Sequence, residues 1–284
     1  MTPLRQFAPE AVRQIDFVLC DFDDTLTYEG KFSAVSMAGM ERLRAAGKKV
    51  IVVTGRPAGW CDLMARFFPV DGVVGENGAF YFRYLAARNH MVREFCYSEV
   101  KRARDKTKLF GFLKQIRKTH PKLRLSADQP FRVSDIAVDI CEDVNSLTKS
   151  EVEDIVARFE KLGATVKVSS IHINAWIGKF DKLSMIQTLL ANEFGLSATA
   201  VKKNALYIGD SPNDEPMFAF FTYSVGVKNI EAFSAGMAAL PQFVTKAPGG
   251  RGFLEVANLL VGESASAFSH RRGRSHRSSS PRRG

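Results

Sequence analysis

Residues 15–25, IDFVLCDFDDT, set a short apolar run against a sudden cluster of carboxylates. Residues 15–20 are short and apolar enough for a strand buried on both faces. The next five residues are Asp21, Phe22, Asp23, Asp24 and Thr25. Two later stretches repeat the arrangement. KKVIVVT, residues 48–54, runs into Thr54-Gly55-Arg56, and ALYIGD, residues 205–210, runs into GDSPND. SVGV at 224–227 predicts a fourth strand. Between the strands, Val35, Met40 and Leu43 recur at helical spacing up to Gly47, and Pro57 can open a helix that reaches about Phe68. Strands alternating with helices predict an α/β fold, a doubly wound, Rossmann-like parallel sheet that binds its ligand at the carboxyl ends of the strands.

Each polar cluster carries chemistry, though none decides it alone. Three carboxylates in four positions repel one another unless a cation is present. Asp21 and Asp23 could serve as nucleophile and proton donor in covalent phosphoryl transfer; alone, the cluster fits an acidic turn as well. Thr54 and Gly55 offer a hydroxyl and loose backbone amides to a phosphate, or form an ordinary strand-to-helix turn. Lys182 opens a helix predicted over 181–194, as a phosphate-neutralising cation or a solvated surface lysine. Asp210 and Asp214 add carboxylates of a kind that suits Mg²⁺; Asn213 or Asp214 could equally cap a helix.

Taken in order, DFDDT, VVTGR, a single Lys182 and GDSPND resemble the haloacid dehalogenase superfamily of phosphohydrolases. ENGA at 76–79 and DKLSMIQ at 181–187 are similar to its Cof-like and sugar-phosphate phosphatase branch. The resemblance implies Asp21 as nucleophile and Asp23 as general acid and base. It implies Mg²⁺ held by Asp21, the Asp23 carbonyl and Asp210, with Asp214 supporting Lys182 and the metal's hydration from behind. Thr54, Gly55, Lys182 and Asn213 would bind the phosphoryl group of a small phosphorylated metabolite such as a sugar phosphate. Asp24 departs from the commonest form of the motif, where Gly is frequent. A phosphomutase of the same fold remains an alternative. A dehalogenase would not need an acid two residues after the nucleophile.

Spacing locates an insertion. Only 28 residues separate Thr25 from Thr54, but 127 lie between Thr54 and Lys182. The patterning gives an α+β cap over 84–176, a core over 1–83 and 177–262, and a tail over 263–284. Within the cap, Ser170, His172, Asn174 and Trp176 alternate with Ile171, Ile173, Ala175 and Ile177. The polar alternates, with Asp128 and Arg132, are the residues expected at the substrate; Arg132 could hold a second anion or hydroxyls. Ser150 and Glu153 read as a capping box for the cap's second helix.

Composition excludes several classes. With 45% hydrophobic and 25% charged residues, the 284-residue chain is neither disordered nor collagen-like. No window holds the roughly 18 apolar residues of a membrane helix, and the opening MTPLRQFAPEAVRQIDF lacks a secretory pattern. Cys20, Cys61, Cys96 and Cys141 form no C-x-x-C pair, which points to reduced thiols and a cytoplasmic protein. The net charge is +10. The tail's six arginines could tether nucleic acid, but no aromatic residues interleave them to stack on bases, so a solvated, disordered extension is the expectation.

Overall fold

The computed structural model describes residues 1–169 and 171–262. The tail expectation and the orientation of Ser170 lie outside the described residues. A nine-stranded sheet forms the core. Its order is Thr2–Pro3, Phe243–Val244, Tyr223–Gly226, Ala205–Gly209, Phe17–Asp21, Lys49–Val53, Gly72–Gly75, Phe80–Leu85 and His90–Phe95. Pairing is parallel from the first of these to Gly72–Gly75, as the alternation of strands and helices requires. The central strands are buried on both faces: Val18, Leu19, Val50, Ile51, Leu206 and Ile208 have no exposure. Each such side chain contributes roughly 1.5–3 kcal/mol of transfer free energy.

The register decides where the polar clusters meet. Asp21 lies opposite Val53, and Cys20 opposite Ile208. Asp21, Thr54, Glu76 and Asp210 therefore emerge together at the carboxyl edge.

Helices Ala34–Ala45 and Ala58–Phe67 follow the first two long strands, and Lys182–Phe194, Gly249–Val261 and the shorter Ala198–Asn204 and Glu215–Phe220 also cover the sheet. Asp181 caps the third, its side chain accepting from the Ser184 N–H. The glycine of ENGA is a steric necessity here. Gly78 has φ +100°, and a Cβ on it would lie 2.0 Å from the Asp181 carbonyl oxygen. Any other residue would push the Lys182 helix off the loop.

The inserted segment starts later than the patterning placed it. Phe80–Leu85 and His90–Phe95 form an antiparallel hairpin on the edge of the large sheet. Phe80 and Phe82 stack on each other and, with Met91, pack into the main core. The boundary expected at 84 thus falls inside a core hairpin, and the chain leaves the sheet after Phe95. On the return, Trp176 stacks on Phe180 and both join the core cluster.

The insert is a three-stranded antiparallel sheet, Thr165–Val168, His172–Trp176 and Ile136–Asp139, with helices Glu99–Ile116 and Lys149–Lys161 on one face. Ile173 and Ala175 pack with Leu109, Phe112, Ile155 and Phe159, as the alternation predicts. The capping box of the second helix is Thr148 with Glu151, not Ser150 with Glu153. Thr148 has extended backbone and so stands at the true N-cap, while Ser150 already lies inside the helix.

Candidate active site

Asp21 closes its strand almost fully buried, and its Oδ1 accepts a hydrogen bond from Lys182 Nζ at 2.5 Å. The same ammonium donates to Asn213 Oδ1 at 2.9 Å and Asp214 Oδ1 at 3.3 Å. Asp214 is fixed from two sides, by the Tyr207 hydroxyl at 2.7 Å and the Asp210 N–H at 3.1 Å. Gly209 makes this possible, because a Cβ there would stand 2.4 Å from Asp214 Oδ2. Asp210 receives the Thr25 hydroxyl at 3.0 Å.

Charge is unbalanced at this edge. Burial pushes the Asp21 carboxyl up to about 8, opposed by Lys182 and reinforced by Asp214 and Asp23. Burial, then Asp21 and Asp214, hold Asp210 well above the ordinary carboxylate range. Burial alone would lower Lys182, but Asp21 and Asp214 outweigh it and raise the ammonium. One lysine does not offset this many buried carboxylates, and carboxylate oxygens are the ligand type that a hard divalent cation takes. No group of three acidic, His or Cys side chains already forms a metal cage among the described residues. Two carboxylates, Asp21 and Asp210, with the Asp23 carbonyl suit Mg²⁺, which keeps much of its water.

Across the pocket, Arg56 grips Asp23. Its Nε stands 3.0 Å from both carboxylate oxygens and its Nη2 2.8 Å from Oδ1. The same Nη2 donates to Glu142 of the cap at 3.0 Å, and the guanidinium lies 4.5 Å over the Trp60 ring. Glu142 also meets His172, with Nε2 and Oε2 2.9 Å apart. His172, then Arg56, bring the Glu142 carboxyl down to about 2 against its partial burial.

Most of the expected residues converge. Asp21, Asp23, Gly55, Lys182, Asp210 and Asn213 line one pocket, with His172 and Asn174 from the cap. Thr54 is buried, and its hydroxyl accepts the Arg56 N–H at 2.9 Å. Ile171, expected on the aliphatic face, also lines the pocket, because it precedes the regular strand.

Asp128 and Arg132 do not line this pocket. Arg132 Nε and Nη2 each donate to Asp128 at 2.9 Å, and Nη1 donates to Asp135 and to the Gly55 carbonyl. With every arm of its guanidinium engaged and its side chain fully buried, Arg132 has no group left for a second anion. Sequence reading missed Arg56, Glu142 and Asn77, the last of which also lines the pocket. The first and third stood inside quoted motifs without a role; Glu142 sits in an acidic loop with no signal of its own.

The model of the haloacid dehalogenase-like hydrolases matches residues 18–93 and 87–233. The chain belongs to this family. No curated protein matches its sequence. Among solved structures, Thermoplasma acidophilum 0175 superimposes with a TM-score of 0.67 at 19% identity, over 87% of this chain and 98% of that one. The Candida albicans trehalose-6-phosphate phosphatase C-terminal domain gives 0.67 at 15%, over 92% and 98%. The subclass IIB sugar phosphatase BT4131 gives 0.57 at 15%, over 86% and 97%. At such identities these likenesses establish the haloacid dehalogenase fold with its insert, and the pocket residues above are this hydrolase's own. No described helix is long and apolar enough to cross a membrane.

Proposed function

We propose that the chain is a Mg²⁺-dependent phosphomonoester hydrolase that works through an aspartyl-phosphate on Asp21, on a small phosphorylated metabolite such as a sugar phosphate. The observation that carries this reading is the placement of two carboxylates in one pocket. Asp21 sits against a buried lysine, while Asp23 is oriented separately by Arg56. Mg²⁺, held by Asp21, Asp210 and the Asp23 carbonyl, would neutralise charge between nucleophile and phosphate. Lys182, Asn213, Thr54 and the Gly55 amide would bind the phosphoryl oxygens.

In the first step an Asp21 oxygen bonds to phosphorus, the P–O bond to the leaving alcohol breaks, and Asp23 gives that oxygen its proton. In the second, Asp23 takes a proton from water as the water oxygen attacks phosphorus. The Asp21–phosphate bond breaks and orthophosphate leaves. Most of the acceleration comes from position and fixed charge. His172 and Asn174, on the cap side of the pocket, would face the leaving alcohol, which favours a polar, hydroxylated substrate.

The test is phosphate release from a panel of phosphorylated sugars, sugar acids and nucleotides, with Mg²⁺ and with EDTA. Turnover should stop in chelator and return with Mg²⁺. Asp21→Asn should keep the fold and lose activity by several orders of magnitude, because an amide cannot form the acyl phosphate. Full turnover in chelator, or an active Asp21→Asn protein, would refute the reading.

A further inference from the structure

Glu76 belongs to the core, yet its carboxylate is spent largely on the cap. Oε1 accepts the Val133 N–H at 2.9 Å and the Ala58 N–H at 3.0 Å. Oε2 accepts Ser134 N–H at 2.6 Å and Asp135 N–H at 3.2 Å. Four backbone donors on one buried carboxylate span three cap residues and the turn that follows Thr54. Arg132 answers in the opposite direction: a cap guanidinium donates to the Gly55 carbonyl of that turn at 3.0 Å while Asp128 and Asp135 hold it in place. The turn also leans on the Glu76 loop through its backbone. Glu76 N–H donates to the Arg56 carbonyl and Asn77 N–H to the Thr54 carbonyl, each at 3.1 Å.

The backbone at this junction is strained. Glu76 and Asn77 are successive non-glycine residues at φ +43° and +56°. Such conformations cost of order 1–3 kcal/mol each and persist only where surroundings over-determine them. Here the surroundings are the crossed bonds to the cap and to residues 54–58. Neither Glu76 nor Arg132 lines the pocket; both act on the turn that carries Gly55 and Arg56, Arg132 also through Asp128, whose Oδ2 lies 3.7 Å from Arg56 Nη1.

We propose that Glu76 and Arg132 are positioning residues whose crossed core-to-cap hydrogen bonds let the docked cap shape the phosphoryl-binding turn at residues 54–58. The proposal rests on the reading of that turn as the phosphoryl site. Coupling of this kind is reciprocal: a cap held in place tightens phosphate binding, and bound phosphate favours the docked cap.

The test is calorimetric binding of orthophosphate, in Mg²⁺ and well below the melting temperature, to wild type, Glu76→Gln and Arg132→Lys. Glu76→Gln keeps the shape but sets an NH₂ against backbone donors. Arg132→Lys keeps the charge but cannot reach Gly55, Asp128 and Asp135 together. Each should weaken orthophosphate about 10- to 100-fold with the far-ultraviolet circular dichroism unchanged. Because both act on one turn, the double variant should lose no more than the weaker-binding single. Unchanged phosphate affinity in a folded variant, even one that melts earlier, would show a merely structural role and overturn the proposal. So would losses that multiply in the double variant. If Glu76→Gln does not fold, Arg132→Lys decides. If wild type binds orthophosphate but does not hydrolyse p-nitrophenyl phosphate, the phosphatase reading fails, while the comparison of affinities still decides whether Glu76 and Arg132 position the turn.

Discussion

Glu142 is a residue whose importance depends wholly on what docks beside it. Asp139 forms the turn that presents it, accepting the backbone N–H groups of Cys141, Glu142 and Asp143. His172 and Arg56 depress its carboxyl from the usual 4.5 to about 2. A depressed carboxyl contributes stability that is present above 4.5 and is lost as pH falls through that value towards 2. The side chain is 31% exposed, so solvent screens part of the effect. Denaturation of wild type and Glu142→Gln compared from pH 6 down to pH 3 should show wild type losing stability faster below about 4.5; parallel curves would contradict the contact. Asp24 shows the opposite kind of legibility. Its φ of +57° explains why Gly is frequent at that position. Asp is tolerated because the Thr27 hydroxyl accepts its N–H and Asn229 donates to its carbonyl.

At the scale of elements, the strand His172–Trp176 is the piece that carries specificity in this reading. Its aliphatic side is anchored in the cap core, which leaves His172 and Asn174 at the pocket. Replacing either with Ala should weaken the natural substrate by about 1–3 kcal/mol of transition-state binding. A small ester such as p-nitrophenyl phosphate should lose much less. Equal losses on both would assign these residues to closure instead. Asn174 already donates to Asp135 at 3.0 Å, so its contribution should be the smaller. The alternation that placed this strand was legible because period-two patterning survives in a short run. So were the clusters at the carboxyl edge, because each strand end carries its own few contiguous residues and the parallel register brings them together. The edge hairpin was not. Phe80 and Phe82 alternate equally well for a cap strand or a core edge, and only the partner strand Gly72–Gly75 decides. Arg132 was misplaced for a similar reason: a buried arginine is read as a ligand-binding group until its three carboxylate and carbonyl partners, scattered from 55 to 135, are seen together.

At the scale of the whole molecule, cap and core meet across the pocket: His172 and Asn174 line it opposite Asp21, Asp23 and Lys182, and Glu142 accepts from Arg56 at 3.0 Å. A cap that moves would widen the way to these residues. The two sets of cap contacts differ in kind: Val133, Ser134 and Asp135 are bound to a fully buried Glu76, while the Glu142 loop touches Arg56 through a partly exposed side chain. Hydrogen exchange in the ligand-free protein should be slow at the amides of Val133, Ser134 and Asp135. It should be fast at those of Cys141, Glu142 and Asp143, and slow there once Mg²⁺ and orthovanadate are added. Uniform exchange across both sets would mean that the cap moves without a fixed side.

The stacking of Arg56 on Trp60 has a practical side. The chain has two tryptophans, and they sit at different depths. Trp176 is sealed beside Phe180, whereas Trp60 is 36% exposed beneath the guanidinium that also holds Asp23 and Glu142. A cation over an indole alters its emission, and this cation is tied to the cap through Glu142. The enzyme thus contains its own fluorophore at the joint, and a Trp176→Phe protein would report opening and closing as light, in real time and without a label.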